Sequence, residues 1–220
     1  MAAWQPGLAP RGASSDTRLR SIPGATMHKN RLEAFSDGVL AIIITIMVLE
    51  MKVPHGETLA ALLPMAPVFL SYVLSFVYVG IYWNNHHHML QLAGPVSGAV
   101  LWANLHLLFW LSLLPFATGW MGENHFAQGP TALYGVVLLM AALAYWMLQR
   151  ALIRAEGRAS ALARAVGGDW KGKLSPVIYA SAILVSFRAA WIAQLLYGVA
   201  ALLWLVPDRR IERVAGRAPH

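Results

Sequence analysis

The sequence predicts an all-α integral membrane protein with six transmembrane helices, and three observations predict it. Of its 220 residues 58% are hydrophobic and 12% charged, a balance that soluble domains of this size rarely reach. The apolar residues gather in runs long enough to cross a hydrocarbon core of about 30 Å, which takes roughly 20 residues of helix. The 17 lysines and arginines lie between those runs. They do not share one face with interleaved aromatics, so they mark membrane topology rather than a nucleic-acid partner.

The chain is expected to open with a disordered cytoplasmic tail over residues 1–28, rich in Pro, Gly, Ala and Ser. This stretch lacks the continuous apolar core and small-residue cleavage site of a signal peptide. A six-helix domain follows over residues 29–210, and a second cytoplasmic tail over 211–220.

The first span runs from Phe35 to Val53, and the second from Leu59 to Trp83 with Pro64 and Pro67 near its start. The third covers Ser97 to Trp120 and the fourth Thr131 to Gln149. The last apolar stretch, Leu174 to Val206, is too long for one span and is interrupted by Phe187, Arg188 and Trp191, which predicts a tight hairpin of two short helices. The segment RALIRAEGRASALARAVGGDWKGK between them and the fourth span reads as a basic amphipathic stretch on an anionic leaflet. Basic residues crowd before the first span, after the fourth and after the sixth, so both termini are assigned to the cytoplasm.

At about 100° per residue, Ile42, Ile46 and Leu49 share one stripe of the first helix, flanked by Thr45. Periodicity alone leaves three uses for it: lipid contact, bundle core or pore lining. The polar residues at the foot of this helix are more informative. An ionisable side chain at membrane depth costs about 2.5–3.5 kcal/mol on insertion scales and usually pairs or marks an ion path. Arg31 faces away from Asp37, so Asp37 needs partners on other helices. YWNNHHH, from Tyr82, and LWANLHLLFW, from Leu101, offer imidazole, indole and carboxamide donors at the same depth.

These residues resemble the transmembrane protein 175 family of potassium channels. Arg31, Phe35, Ser36 and Asp37 fit its R-x-x-x-F-S-D signature, and Trp83 to His87, Trp102 with Asn104, Leu114 to Phe116 and the VPDRR ending at Val206 follow in the family's order. The resemblance covers about Lys29 to Arg213. It implies a homotetramer in the cell membrane, with the first helix of each subunit lining a central pore, and a leak-type potassium-selective cation channel. Ile42 would form the narrowest ring, Ile46 and Leu49 further hydrophobic layers, and Thr45 a hydroxyl layer for selectivity. His86, His87, Trp102 and Asn104 would anchor the signature. No TVGYG-like loop is present, so a carbonyl cage of that kind is not expected.

The expected partners are a second copy of the chain, the bilayer and the permeant potassium ion; no other cofactor, metal or catalytic activity is expected. A proton-permeable channel and a secondary transporter are the alternatives. A transporter of this size is expected to show repeated halves and helices broken at mid-membrane, whereas Pro64, Pro67, Pro115 and Pro176 lie near span ends. A histidine-dependent metalloenzyme ranks lower. Consecutive His86, His87 and His88 point in three directions on a helix, and the absence of cysteine excludes thiolate sites.

Overall fold

The computed structural model describes residues 24–94, 96–157, 160–166 and 170–205, and they are helical throughout apart from turns and connections. Residues 1–23 of the expected 1–28 tail, the VPDRR ending and the tail over 211–220 lie outside the described residues. Helix α1 spans Gly24–Leu49, so it begins within the expected tail.

A seven-residue 3-10 helix, Leu59–Met65, carries Pro64 and leads into α2, Ala66–Gln91. Pro67 sits in the first turn of α2, where its missing N–H costs no intrahelical bond. The α2 helix runs two turns past the expected boundary at Trp83, which places Trp83 to His88 inside a helix rather than at its end.

The third expected span is broken into α3, Gly98–Ser112, and α4, Leu114–Glu123. Pro115 falls in the first turn of α4. It has no amide hydrogen to give the preceding turn, and it disfavours helical geometry at the residue before it, so the ladder restarts there. Helix α5, Gln128–Glu156, is the longest at 29 residues. The basic segment beyond it contains the short helix α6, Ala161–Val166.

Helices α7, Trp170–Ser186, and α8, Ala190–Leu205, form the expected hairpin, turned by Arg188 N–H and Ala189 N–H both donating to Val185 O at 2.9 and 2.8 Å. Four stretches among the described residues are long and apolar enough to cross a membrane: Lys29–Leu49, Leu59–Gln91, Gly98–Glu123 and Gln128–Glu156. With 17 and 16 residues, α7 and α8 are each about 25 Å long at 1.5 Å per residue, short of a full hydrocarbon core.

Helix α5 forms the centre, packed against α3, α4, α7 and α8, while α1 packs on α2, α3 and α4 at the side of this bundle. Close helix approach relies on small residues: Ala141, Ala144, Ala182, Ala193 and Ala200 are all fully buried. Buried hydroxyls find protein partners, as a hydrocarbon surrounding demands. Ser75 Oγ lies 2.6 Å from Thr118 Oγ1 and 3.0 Å from Tyr134 Oη, and Tyr78 Oη donates to Tyr197 O at 2.7 Å.

Candidate pore helix and its anchoring network

Helix α1 presents two faces of opposite fate. Leu32, Ser36, Leu40, Ile43 and Met47, spaced by three and four, are buried against its neighbours. On the far side Arg31, Phe35, Gly38, Ile42, Thr45, Ile46 and Leu49 are exposed on the subunit. Ile42 is 59% and Leu49 77% exposed, and a Cβ added at Gly38 would meet nothing within 4 Å. The stripe identified in the sequence is therefore not the core of the subunit. Thr45 lies on this bare face with its Oγ1 hydroxyl donating to Ala41 O at 2.9 Å. Its proton is turned inward to the helix, and its oxygen lone pairs are left free.

Between the two faces, the foot of α1 is tied to α2 by a ladder of four-residue steps. Trp83 Nε1 donates to Asp37 Oδ1 at 3.1 Å. One turn toward the amino end of α1, His87 Nδ1 lies 2.7 Å from Glu33 Oε1. One turn further, Lys29 Nζ donates to Gln91 O at 3.2 Å and Ala93 O at 3.0 Å. That ammonium sits on carbonyls at the carboxyl end of α2, where the helix dipole favours a cation. Gln91 Nε2 lies 2.8 Å from His87 Nε2. The carboxamide donates there, so His87 in its neutral form carries its proton on Nδ1 and gives it to Glu33. Trp83 and His87 stack, with ring planes 16° apart.

A second, fully buried chain ties α1 to α3 and α2. Ser36 Oγ donates to Leu32 O at 2.8 Å and accepts from Asn104 Nδ2 at 2.9 Å. Asn104 Oδ1 is 2.7 Å from His86 Nε2. The direction of the first bond fixes the second: Asn104 offers its oxygen to His86, which carries a proton on Nε2, and His86 Nδ1 is buried with no hydrogen-bond partner among the described residues.

The structure thus brings together Ser36, Asp37, His86, His87 and Asn104 of the expected set. It does not bring in Arg31, Phe35 or Trp102, and Trp102 is 75% exposed. Lys29, Glu33 and Trp83 complete the network and were missing from the expected anchors. Their signal was present as matched spacing: 29, 33 and 37 on one helix, and 83, 87 and 91 on the next, each step bringing the same face round again.

At the other end of α1, Lys52 Nζ donates to Glu123 Oε1 at 2.8 Å. The hydrogen bond and charge of that carboxylate hold the Lys52 ammonium above the usual lysine range. Glu50 and Glu123 share a cavity there with Met47, Tyr72 and Trp120.

The chain is similar to known proteins over most of its length. The family model described as endosomal/lysosomal potassium channel TMEM175 matches residues 31–115. A protein from a Chryseobacterium species, named a potassium channel, is 57% identical over 187 residues, covering 85% of this chain and 97% of its own. A solved structure, described as a lysosomal potassium-selective channel TMEM175 homologue from Chamaesiphon minutus, superposes with a TM-score of 0.71 at 27% identity, over 84% of this chain and 98% of the other. The human endosomal/lysosomal proton channel TMEM175 is 34% identical over 116 residues, which is 47% of this chain and 23% of the human one. With four stretches among its described residues able to cross a bilayer, the chain is a multi-pass membrane protein. It belongs to the TMEM175 family.

Proposed function

We propose that the protein is a potassium-selective cation channel of the cell membrane, a homotetramer with six spans per subunit, both termini cytoplasmic, and α1 of each subunit lining the central pore. The relatives' names supply the permeant ion. The observation that carries the assignment of α1 is its bare stripe, which no other described residue of the subunit covers while hydrogen-bonded networks hold the flank and the opposite face. Lipid would tolerate such a stripe, but would not call for so many polar anchors to aim it.

In this reading Ile42 forms the narrowest ring, with Ile46 and Leu49 beyond it. A ring of branched aliphatic side chains offers an ion no ligand, so it closes by dewetting and conducts only when wide enough to hold water. Thr45, one step round the helix, supplies an oxygen whose lone pairs are free. It replaces part of the hydration shell at less cost for potassium than for the more tightly hydrated sodium. Ser36 and Asp37 of the signature hold the foot of the helix with Asn104, His86 and Trp83, His87 adds its bond to Glu33, and the pore domain extends over residues 29–210.

Ion flux into proteoliposomes tests this. Purified protein should dissipate a potassium gradient with no second ion gradient and pass sodium much less readily. Flux that requires a coupled ion gradient would make it a transporter instead. A pH-sensitive dye inside the same vesicles reads out the other alternative, proton permeation, which the human relative's name favours.

A further inference from the structure

Helices α7 and α8 each turn an apolar stripe outward from the bundle. On α7 it runs through Leu174, Val177 and Leu184, and on α8 through Trp191, Leu195, Val199 and Leu202, all exposed on the subunit. Charges bound the α7 stripe. Lys173 stands just before Leu174 and Arg188 just past the end of the helix at Ser186, and both are exposed. From Leu174 to Ser186 the helix rises about 20 Å at 1.5 Å per residue. Helix α8, with 16 residues, is about 24 Å long. Trp170 at the start of α7 and Trp191 at the start of α8 are 53% and 67% exposed, as indoles at the two membrane interfaces are.

A long span fits a thin bilayer by tilting, but a short one cannot stretch to fit a thick bilayer, and tilt only shortens it further. With 29 residues, about 43 Å, α5 has length to spare. The hairpin does not, and its depth is fixed. Gln194 Nε2 donates to Thr131 Oγ1 and Tyr197 Oη to Thr131 O, each at 3.1 Å, and Tyr78 Oη donates to Tyr197 O at 2.7 Å. Trp204 Nε1 donates to Ser175 Oγ at 2.7 Å and ties the two short helices together at their open end. Ala182, Ala193 and Ala200, fully buried, leave no slack for sliding. What remains free to adjust is the bilayer.

We propose that the outer face of the α7–α8 hairpin selects phospholipids by chain length, holding short-chain lipids in preference to long ones and a thinned bilayer along this side of the subunit. This rests on the six-span reading, in which the hairpin crosses the membrane. Length fixes the occupant. The stripes offer acyl chains an apolar wall of about 20–24 Å, against an ordinary hydrocarbon core of about 30 Å. In a bilayer of that thickness the Lys173 ammonium or the Arg188 guanidinium is drawn below the headgroups, where a charge is costly. Their aliphatic stems let the charged ends reach outward and recover part of the shortfall. Shorter chains remove the rest and leave both cations among the phosphates.

The chain has no cysteine, so a single introduced thiol reports one site. Val199→Cys on the α8 stripe and Leu143→Cys, exposed on α5, are labelled with bimane in the full-length protein and reconstituted. Quenching by brominated dioleoylphosphatidylcholine is then competed with dimyristoleoyl- or dierucoylphosphatidylcholine. At Val199 the shorter lipid should compete about two- to fourfold better than the longer, and at Leu143 no better. Arg188→Leu removes the charge that ends the α7 run and should erase the difference at Val199, while Arg188→Lys should keep it. Should Arg188→Leu lose the parent's elution volume, the comparison of Val199 with Leu143 decides. Equal competition at Val199, or the same preference at both sites, overturns the proposal alone. So does an absence of quenching at Val199, which would mean that protein and not lipid covers the stripe. In spheroplasts, Arg188→Cys should react with a membrane-impermeant maleimide. Reaction only after lysis overturns the six-span reading, and this proposal with it.

Discussion

Trp83 on α2 donates its indole N–H to the Asp37 carboxylate on α1 at 3.1 Å, so the carboxylate at membrane depth is satisfied by a neighbouring helix and not by Arg31 six residues before it. Asp37 is half-buried and Trp83 exposed on the subunit, so the bond is weaker than a fully desolvated one. Asp37→Ala and Trp83→Phe should each cost about 1 kcal/mol. In thermal melts of the detergent-solubilised protein, the double variant should fall by less than the sum of the two. Strict additivity would mean the two groups do not interact.

Asn104 is the middle of the buried chain, and its loss strands two neighbours. Asn104→Leu leaves Ser36 Oγ without its donor and His86 Nε2 without its acceptor, and should cost about 3 kcal/mol, whereas Ser36→Ala removes one end and should cost about 1 kcal/mol. Thermal melts that rank Ser36→Ala as the more damaging would place the weight of the network elsewhere.

Ile42→Asn puts an amide in the proposed hydrophobic neck. Single-channel recording in planar bilayers should show larger conductance and a smaller potassium-to-sodium permeability ratio, because a wetted neck no longer discriminates by dehydration. Unchanged current would remove Ile42 from the conduction path.

Thr45→Ala should lower the potassium-to-sodium permeability ratio in reversal-potential measurements, and Thr45→Ser, which restores the oxygen, should recover most of it. Equal ratios in all three proteins would dissociate the hydroxyl from selectivity.

Two glycines mark where helices touch. A Cβ at Gly122 would lie 2.7 Å from Val68 Cα, a backbone atom that cannot step aside, and one at Gly135 would collide with the Tyr197 hydroxyl and lie 2.8 Å from Ile183 Cγ1. Gly122→Ala and Gly135→Ala should each destabilise by about 1–3 kcal/mol through overpacking. Gly135→Ala should also displace the Tyr197 Oη bond to Thr131 O, 3.1 Å in the structure. Melting temperatures equal to the parent's would show that the helices separate freely.

The sequence made the long spans legible because their apolar runs exceed anything a soluble fold requires. The α7 and α8 hairpin was legible because Arg188 breaks a run too long for one helix. The split between α3 and α4 was less so: Pro115 was visible, but whether a proline near a span end caps a helix or interrupts one depends on what packs beside it. Within the candidate site, His86 and Asn104 followed from the family resemblance, after the need to satisfy buried polar atoms had pointed to the stretches that carry them. Trp83, Glu33 and Lys29 did not, because the choice between Trp83 and Trp102 as partner for the foot of α1 turns on which helix lies alongside it. Periodicity fixes a residue's direction on its own helix and says nothing of the neighbour's identity.

The hydrogen-bonded ladder on α1 ends at Asp37, and from Leu40 to Met47 the helix rests on its neighbours through apolar contact, with one long approach of the Thr118 hydroxyl to the Met47 sulfur at 4.0 Å. Such contact is indifferent to small slides and rotations in a way that directional bonds are not. The amino-terminal half of the helix is therefore held by the direction of its bonds and the carboxyl-terminal half by the fit of its side chains alone.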